Sequence, residues 1–265
     1  FGDRVKLRKS FHTIFTSATL TNLASEDLTK AYSYFIQNTM FPINDSILSE
    51  VKYSPFAYDK HAKLFYTDDI TSPSKDRGKF IDESIDLVKK ILDISQGKAL
   101  ILFTSKADMN AVYTRLKALN LNYTLIKQNE ISSQQQLIDK FKQDVNSVLL
   151  GTGVFWEGIS IEGIALSNLI IYKLPFPLPE PIINEKCKRS KNPLEEVLVP
   201  EMIIKLKQGV GRLIRNKTDK GIVSIIDSRL GDKSKASYKE KVWQALPIKQ
   251  RTNSLKELQS FYDNL

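Results

Sequence analysis

The sequence predicts an α/β fold with a mainly parallel sheet flanked by helices, and three observations support this prediction. Short apolar runs rich in Ile, Leu and Val recur without polar alternation, which is typical of strands buried on both faces. Amphipathic stretches with helical spacing lie between these runs. Glycines or hydroxyl side chains directly follow several of the runs. Alternating strands and helices favour right-handed crossovers, so we expect functional residues at the carboxyl ends of the strands.

Seven short apolar runs are the candidate strands, and four amphipathic stretches are the candidate helices. In the first stretch, apolar residues from Ile81 to Leu92 share one stripe, and in the third, Ser133 and Gln136 match a capping box. The proline-rich residues 175–181 are too irregular for either element, so we expect them to cross the surface. The candidate strands are residues 12–17, 48–53, 99–104, 123–126, 147–150, 169–174 and 222–226, and the candidate helices are residues 80–94, 107–119, 133–141 and 202–213.

Length and composition exclude several classes of protein. The 265 residues suffice for one large domain or two small ones. A hydrophobic fraction of 42% excludes wholesale disorder, and the single cysteine, Cys187, excludes an internal disulfide and a thiolate metal cage. No apolar run is long enough to cross a bilayer. We therefore expect a cytoplasmic protein with no membrane contact and no metal site within these residues.

The net charge of +9 fits two interpretations. An excess of 39 basic over 30 acidic residues favours a nucleic-acid partner. Only nine of the basic residues are arginine, however, and lysine spread over a surface also keeps a protein soluble. Charge alone does not separate the two.

The most specific motif is residues 208–215, with the pattern Gln-x-x-Gly-Arg-x-x-Arg. On a helix, Gln208, Gly211, Arg212 and Arg215 share one face because they recur at intervals of three and four residues. Glycine inside a helix costs about 1 kcal/mol relative to alanine, which indicates that another group approaches closely there. Two arginines on the same face offer forked donors that suit phosphate oxygens. The alternative is a helix with a solvated basic face.

A glycine-rich turn follows the fifth candidate strand, at residues 151–160. Such a turn frees backbone N–H groups to face phosphates, and the Thr152 hydroxyl can donate to a backbone phosphate. Phe155 and Trp156 could stack on a base, although an aromatic pair beside a strand is more often part of the core. Alone, a glycine-rich turn is a weak indication of function.

Two further strand ends carry hydroxyl side chains. Ser17 and Thr19 lie at the end of the first candidate strand, where they can hold hydrogen bonds between two surfaces. Thr104 and Ser105 end a buried strand and suit phosphate contacts at the top of a sheet. Each of these patterns also arises easily by chance.

In chain order, residues 16–20, 99–105, 151–163 and 208–215 resemble motifs III, IV, V and VI of superfamily 2 helicases. The run Phe155-Trp156-Glu157-Gly158, the stretch 173–181 and residues 225–229 are similar to the bacterial DinG helicases of the XPD/DinG group. The resemblance covers about residues 13 to 230 and implies a RecA-like domain of the P-loop-NTPase type. In such helicases ATP binds in the cleft between two RecA-like domains, and single-stranded DNA crosses both.

The resemblance implies a role for each matching residue. Arg215 would be the arginine finger, Arg212 its companion at the γ-phosphate, and Gln208 part of the same catalytic motif. Ser160 stands where the family often has an aspartate that contacts the nucleotide, which puts that contact in doubt. The implied ATP-binding residues are Glu157, Gly158, Ser160 and Gly211; the DNA-binding residues are Thr104, Ser105, Thr152, Phe155 and Trp156; the residues coupling nucleotide state to DNA grip are Ser17, Ala18 and Thr19; and the ion pair supporting motif VI is Asp227 with Arg229.

Two motifs of the motor are missing from the sequence, the Gly-x-x-x-x-Gly-Lys-Ser/Thr phosphate loop and the DExH box. The chain also begins at Phe1 without a start methionine, so we expect it to be part of a longer protein. We assign residues 1–24 to the end of a first helicase domain and residues 25–265 to the second. ATP with Mg²⁺ would be bound mainly by the first domain, so the chain alone should not hydrolyse ATP.

The resemblance implies three partners: single-stranded DNA, the first helicase domain of the same chain and, in some relatives, an upstream exonuclease domain. The implied function is ATP-driven DNA unwinding with 5′ to 3′ polarity. Ser160 and the missing first domain leave one alternative open, a RecA-like module that binds nucleic acid without translocation in a protein that is chiefly a nuclease.

Overall fold

Seven parallel strands form one sheet in the part of the chain that the computed structural model describes. That part comprises residues 14–17, 20–21, 25–39, 41–43, 47–51, 54–129, 132–156, 161 and 165–265. The order across the sheet is β3-β4-β2-β5-β6-β1-β7. The strands are β1 (Ala62–Tyr66), β2 (Ala99–Phe103), β3 (Leu125–Lys127), β4 (Val148–Thr152), β5 (Asn168–Ile171), β6 (Gly221–Ile225) and β7 (Arg251–Thr252).

Helices connect the strands and cover both faces of the sheet. Short 3₁₀ turns occupy Gly153–Phe155 and Ser228–Leu230, and a π-helical segment, Leu194–Leu198, leads directly into α8. The described α-helices are α1 (Leu28–Ala31), α2 (Ser33–Thr39), α3 (Tyr58–His61), α4 (Arg77–Ser95), α5 (Lys106–Ala118), α6 (Gln134–Gln143), α7 (Pro181–Arg189), α8 (Val199–Val210), α9 (Lys239–Ala245) and α10 (Leu255–Asp263).

The sheet separates two apolar layers because successive side chains of a strand point to opposite faces. In β2, Leu100 and Leu102 pack with residues of α6, α8 and α9, whereas Ile101 and Phe103 pack with residues of α4, α5 and α10. All five residues of β2 are buried. Burial on both faces explains why the strand sequences lack alternation.

The predicted fold class is confirmed, and five of the seven predicted strands correspond to β2 to β6. The other two predictions are wrong where the structure describes them, since residues 14–17 and 48–51 form no strand. Ile14 is 87% exposed, so that apolar run has no sheet to join. The sequence pattern does not predict β1, in which Lys63 and Tyr66 interrupt the apolar run, or the two-residue β7.

Three predicted helices correspond to α4, α5 and α6, and the Ser133–Gln136 capping box is present at the start of α6. Residues 174–180 are irregular as expected, but α7 begins at Pro181, where a proline fits the first helical turn. No helix in the described ranges is both long enough and apolar enough to cross a bilayer.

Candidate functional site

The carboxyl ends of four neighbouring strands bring several predicted site residues to one edge of the sheet. β4, β2, β5 and β6 are adjacent in that order and run in the same direction. Thr152 ends β4, Thr104 and Ser105 follow β2, and Asp227 follows β6. In parallel α/β sheets this is the edge where ligands bind.

Thr152 is held by Gln128, a residue that none of the sequence motifs identifies. The Gln128 side-chain oxygen accepts the Thr152 backbone N–H at 2.7 Å and the Thr152 hydroxyl at 3.1 Å. Gln128 follows β3, which pairs with β4, so the contact depends on the strand order. The Thr152 side chain is consequently almost buried and fixed in orientation.

A buried carboxylate organises the end of β2. Ser105 caps α5 by accepting the Asp108 backbone N–H at 3.1 Å. The Asp108 carboxylate is 2% exposed and pairs with Arg77 Nε at 2.7 Å and Lys173 Nζ at 2.5 Å. Burial raises the pKa of Asp108, but the bonds and charge of Lys173, with bonds from Ser105 and Arg77, outweigh burial and leave the pKa below its ordinary value of 3.8. Two cations are therefore held beside Thr104 and Ser105.

Phe155 and Trp156 belong to the core, which corrects the prediction that they bind DNA. Both side chains are 0% exposed, so neither ring offers a face to a nucleobase. The indole Nε1 of Trp156 donates to the carbonyl of Phe103 at 2.8 Å, which ties the turn after β4 to the end of β2.

The helix of motif VI ends three residues earlier than predicted. α8 ends at Val210, with Gly211 as its C-cap, so Arg212 and Arg215 lie beyond the helix rather than on its face. The close contact expected at the motif VI glycine Gly211 occurs instead at Gly209, where the Trp156 ring packs against the helix. A Cβ on Gly209 would lie 2.8 Å from the Trp156 ring, whereas one on Gly211 would meet only the Lys207 carbonyl at 3.3 Å and the Gln208 carbonyl at 3.6 Å.

Arg212 binds the turn that carries motif V. Its guanidinium is buried, and Nε donates to the Trp156 carbonyl at 3.0 Å. The residues that follow Trp156 in this turn, Glu157, Gly158 and Ser160, lie outside the described residues, so their predicted ATP contacts stay predictions. The geometry makes Arg212 a support for the motif V turn.

Arg215 lies on a turn fixed by a buried acid. The Asp219 carboxylate accepts the backbone N–H of Arg215 at 2.8 Å and that of Asn216 at 3.0 Å. The Asn216 side chain in turn accepts the N–H groups of Thr218 and Asp219, both at 2.9 Å. Within the described part of the chain, the Arg215 guanidinium makes no hydrogen bond or ion pair. Its backbone is therefore fixed while its charge stays available, and Gln208 and Gly211 lie partly exposed nearby in the sequence.

The ion pair between Asp227 and Arg229 is present, but its hydrogen bonds do not reach motif VI. Arg229 donates to both oxygens of the buried Asp227 carboxylate, at 2.9 and 2.6 Å, and Asp227 also accepts the Leu174 backbone N–H at 2.9 Å. The Arg229 guanidinium lies 5.1 Å from the Phe176 ring centroid. The pair thus anchors the stretch after β5, and its predicted support of motif VI stays a prediction.

The residues predicted to couple nucleotide and DNA are only partly described. Ser17 is exposed, and Ala18 and Thr19 lie outside the described residues. Two residues later, the Thr21 carbonyl accepts a hydrogen bond from Lys207 Nζ at 2.9 Å. The described ranges contain no cluster of three or more side chains of the kinds that bind metals.

Known proteins resemble this chain over most of its length. Residues 88–249 match the helicase C-terminal domain family. The chain is 33% identical over 271 residues to the ATP-dependent DNA helicase YoaA of Haemophilus influenzae, which covers 100% of this chain and 39% of YoaA. It is 33% identical over 216 residues to the 3′-5′ exonuclease DinG of Bacillus subtilis, which covers 77% of this chain and 22% of DinG.

A solved structure of XPD helicase shares the fold. Its TM-score is 0.56 at 23% identity, over 69% of this chain and 34% of the XPD chain. The chain thus spans 39% or less of the length of these proteins.

Proposed function

Because the chain belongs to the helicase C-terminal domain family, in its DinG/XPD type, we propose that it is the second RecA-like motor domain of an ATP-dependent DNA helicase. In this proposal residues 1–24 end the first motor domain and residues 25–265 form the second. The first domain, in a longer protein, supplies the phosphate loop and the DExH box. We propose 5′ to 3′ movement on single-stranded DNA and a cytoplasmic location on the basis of the motif resemblance alone.

The observation that carries this proposal is the contrast between Arg212 and Arg215. Arg212 is buried and bound to the Trp156 carbonyl, whereas the guanidinium of Arg215 has no hydrogen-bond partner among the described residues. Asp219 fixes the backbone of Arg215 at the same time. A positioned but unpaired guanidinium suits a phosphate that arrives from outside the domain.

In this mechanism Arg215 stabilises negative charge on the γ-phosphoryl oxygens when the two domains close. Bound ATP with Mg²⁺ supplies the phosphoryl group and neutralises part of its charge. The residues described here fit the phosphate side of such a site, since they include the available guanidinium of Arg215. An arginine finger contributes roughly 10³–10⁵ in rate in well-studied phosphoryl-transfer enzymes.

The DNA strand crosses the carboxyl edge of the sheet in this proposal. Thr104 and Ser105 have partly exposed hydroxyl groups there, and Thr152 lies almost buried on the neighbouring strand, oriented by the hydrogen bond that its hydroxyl donates to Gln128. Lys173 and Arg77, held by Asp108, add positive charge beside the same strand end. Hydroxyl and cationic contacts of this kind bind the sugar-phosphate backbone without selecting a sequence.

The test compares the purified chain with the full-length protein that contains it. We expect the full-length protein to hydrolyse ATP faster when single-stranded DNA is added. The 265-residue chain should bind single-stranded DNA weakly and hydrolyse no ATP. DNA-stimulated ATP turnover by the purified chain would contradict the proposal.

A second candidate function rests on a different observation. One relative at 33% identity is named a 3′-5′ exonuclease. We therefore keep the alternative that the longer protein is chiefly a nuclease in which this domain binds nucleic acid without translocation. A full-length protein that degrades DNA without any ATP requirement and without DNA-stimulated ATP turnover supports this alternative.

A further inference from the structure

A proline-rich arm follows β5 and carries two large apolar side chains that face solvent. We define the proline arm as residues 175–182, in which every second residue from Pro175 onward is proline. Leu178 is 61% exposed and Ile182 is 70% exposed. Single exposed apolar residues are common on protein surfaces, but two of them on one short segment indicate a contact surface.

Contacts at its base hold the proline arm against the end of β6. The Asp227 carboxylate, which follows β6, accepts the Leu174 backbone N–H at 2.9 Å just before the arm begins. The centroid of the Phe176 ring then lies 5.4 Å from that of Tyr238 and 5.1 Å from the Arg229 guanidinium. The arm therefore starts from β5 and packs on residues that follow β6 in the chain.

The exposed end of the proline arm is also held in one conformation. Proline fixes its own φ near −65° and restricts the residue before it, so alternating prolines leave the backbone little freedom. The Glu180 backbone N–H donates to the Leu178 carbonyl at 2.7 Å. Asn184 on α7 donates through its backbone N–H to the Glu180 carbonyl at 2.8 Å and through its side chain to the Pro179 carbonyl at 3.1 Å. A surface that is already ordered loses little entropy when it binds.

The proline arm borders the proposed path of the DNA strand. β5 lies between β2, whose end is followed by Thr104 and Ser105, and β6, whose end anchors the arm. Lys173 lies at the base of the arm, five residues before Leu178, so the two Cα atoms are at most about 18 Å apart. The hydroxyl and cationic groups of this edge suit the phosphates of a strand, which leaves its apolar bases to be placed.

The exposed side chains of the proline arm suit those bases. Phe155 and Trp156, the aromatic residues predicted to stack on bases, are buried in the core instead. Aliphatic side chains cover the face of any base without reading its hydrogen-bonding edge, so the contact tolerates every sequence. We propose that Leu178 and Ile182 pack against nucleobases of the bound single strand while the groups beside them hold its phosphates. This inference rests on the proposed helicase function and deepens it.

The test measures the affinity of the full-length protein for two labelled oligonucleotides by fluorescence anisotropy. One carries normal bases, and the other has the same length but consists of abasic sites. In the double variant Leu178→Ser with Ile182→Ser, the loss of apolar contact should weaken binding of the normal strand roughly 10-fold. The affinity for the abasic strand and the salt dependence of binding should stay at wild-type values, because phosphate contacts set both.

Two further variants serve as controls. Leu178→Met with Ile182→Met keeps an apolar surface on the proline arm and should bind both oligonucleotides as the wild type does. Leu119→Ser removes a leucine that is also exposed, at 40%, but caps the end of α5 opposite to Ser105. It should leave both affinities unchanged.

Three results decide the inference. Wild-type affinity of the double serine variant for the normal strand overturns it and indicates that the proline arm binds a protein surface instead. An equal fall in affinity for the normal and abasic strands also overturns it, since that result indicates a structural role. In both cases DNA-stimulated ATP turnover by the wild type leaves the proposed function intact. Absence of that turnover in the wild type contradicts the proposed function, whereas a selective loss of normal-strand binding still supports the base contact.

Discussion

The Asp219 carboxylate accepts the backbone N–H of Arg215 at 2.8 Å and thereby fixes the residue that the proposed mechanism places at the γ-phosphate. The acid is almost buried, and it binds Asn216 in the same way at 3.0 Å. The turn at the end of motif VI is therefore held in place by hydrogen bonds to Asp219. The Arg215 guanidinium on this turn has no hydrogen-bond partner among the described residues.

Replacing this acid should reduce catalysis without removing the arginine. In Asp219→Ala the two backbone N–H groups lose a charged acceptor, which we expect to lower the free energy of unfolding by about 1–3 kcal/mol. Misplacement of a catalytic group by about 1 Å costs on the order of 100-fold, so steady-state ATP turnover of the full-length protein should fall by roughly 10-fold to 100-fold. The exposed Asp86 on α4 provides the control, and Asp86→Ala should leave both quantities unchanged. Wild-type turnover in Asp219→Ala would show that the turn does not position Arg215.

The tight contact between α8 and the turn after β4 predicts different costs for two glycines of motif VI. A Cβ on Gly209 would lie 2.8 Å from the Trp156 ring, which is fully buried and cannot move aside. Gly209→Ala should therefore lower the free energy of unfolding by about 1–3 kcal/mol, as overpacking usually does. Gly211→Ala should cost less than about 1 kcal/mol, because its Cβ meets only backbone carbonyls of the preceding turn, at 3.3 and 3.6 Å. Urea denaturation of the chain measures both, and equal costs would contradict the assigned contact.

We expect the affinity for single-stranded DNA to fall when the contact between Gln128 and Thr152 is broken. Gln128→Ala frees the Thr152 hydroxyl to rotate, and the loss of one hydrogen bond of about 1 kcal/mol should weaken single-stranded DNA binding roughly 5-fold. Because the two residues act together, Gln128→Ala combined with Thr152→Val should cost little more than either change alone. Fluorescence anisotropy with a labelled oligonucleotide measures the affinities, and Gln143→Ala, on the exposed end of α6, is the control. Fully additive losses would show that Gln128 does not act through Thr152.

Asp108 predicts a loss of stability in acid. The folded state holds the pKa of Asp108 below its ordinary value, so the ionised carboxylate stabilises the fold above about pH 4. This contribution is lost as the pH falls through the folded-state pKa, because the unfolded chain then binds the proton more readily. Asp108→Asn should lower the free energy of unfolding by about 1.5–3 kcal/mol at neutral pH and should show a shallower decline below pH 4. Denaturation at several pH values tests this, with Asp86→Asn as control. An unchanged acid slope in Asp108→Asn would contradict the assignment.

The sequence predicted most of the sheet because four of its strands, β2, β4, β5 and β6, are buried on both faces and contain few polar residues. It did not predict β1, since Lys63 and Tyr66 lie near one end of the sheet and disturb that pattern. Residues 14–17 were predicted as part of a strand, but Ile14 is exposed and Phe15 packs against the rings of Phe35 and Phe41 rather than in the sheet. Composition identifies strands well only where both faces are covered.

The candidate site was predicted where the information lies in residue spacing, and missed where it lies in tertiary contacts. The order of the motifs located Thr104 and Thr152 at or near the carboxyl ends of strands, but it placed Arg215 on a helix that in fact ends at Val210. Gln128 and Asp108 could not be found in this way, because their roles depend on which strands and helices become neighbours. The aromatic pair at residues 155–156 was assigned to DNA by the family resemblance, whereas its position beside a strand already favoured the core, where both rings lie.

The most direct test of the central claim is the steady-state ATP turnover of Arg215→Ala in the full-length protein, measured with saturating single-stranded DNA. An arginine finger contributes roughly 10³–10⁵ in rate, so we expect turnover to fall to the limit of detection while DNA affinity stays within about 2-fold of wild type. Arg189→Ala, which removes an exposed arginine paired with Glu185 on α7, should leave both unchanged. Turnover that survives in Arg215→Ala would contradict the assignment of Arg215 as the residue that this domain contributes to ATP hydrolysis.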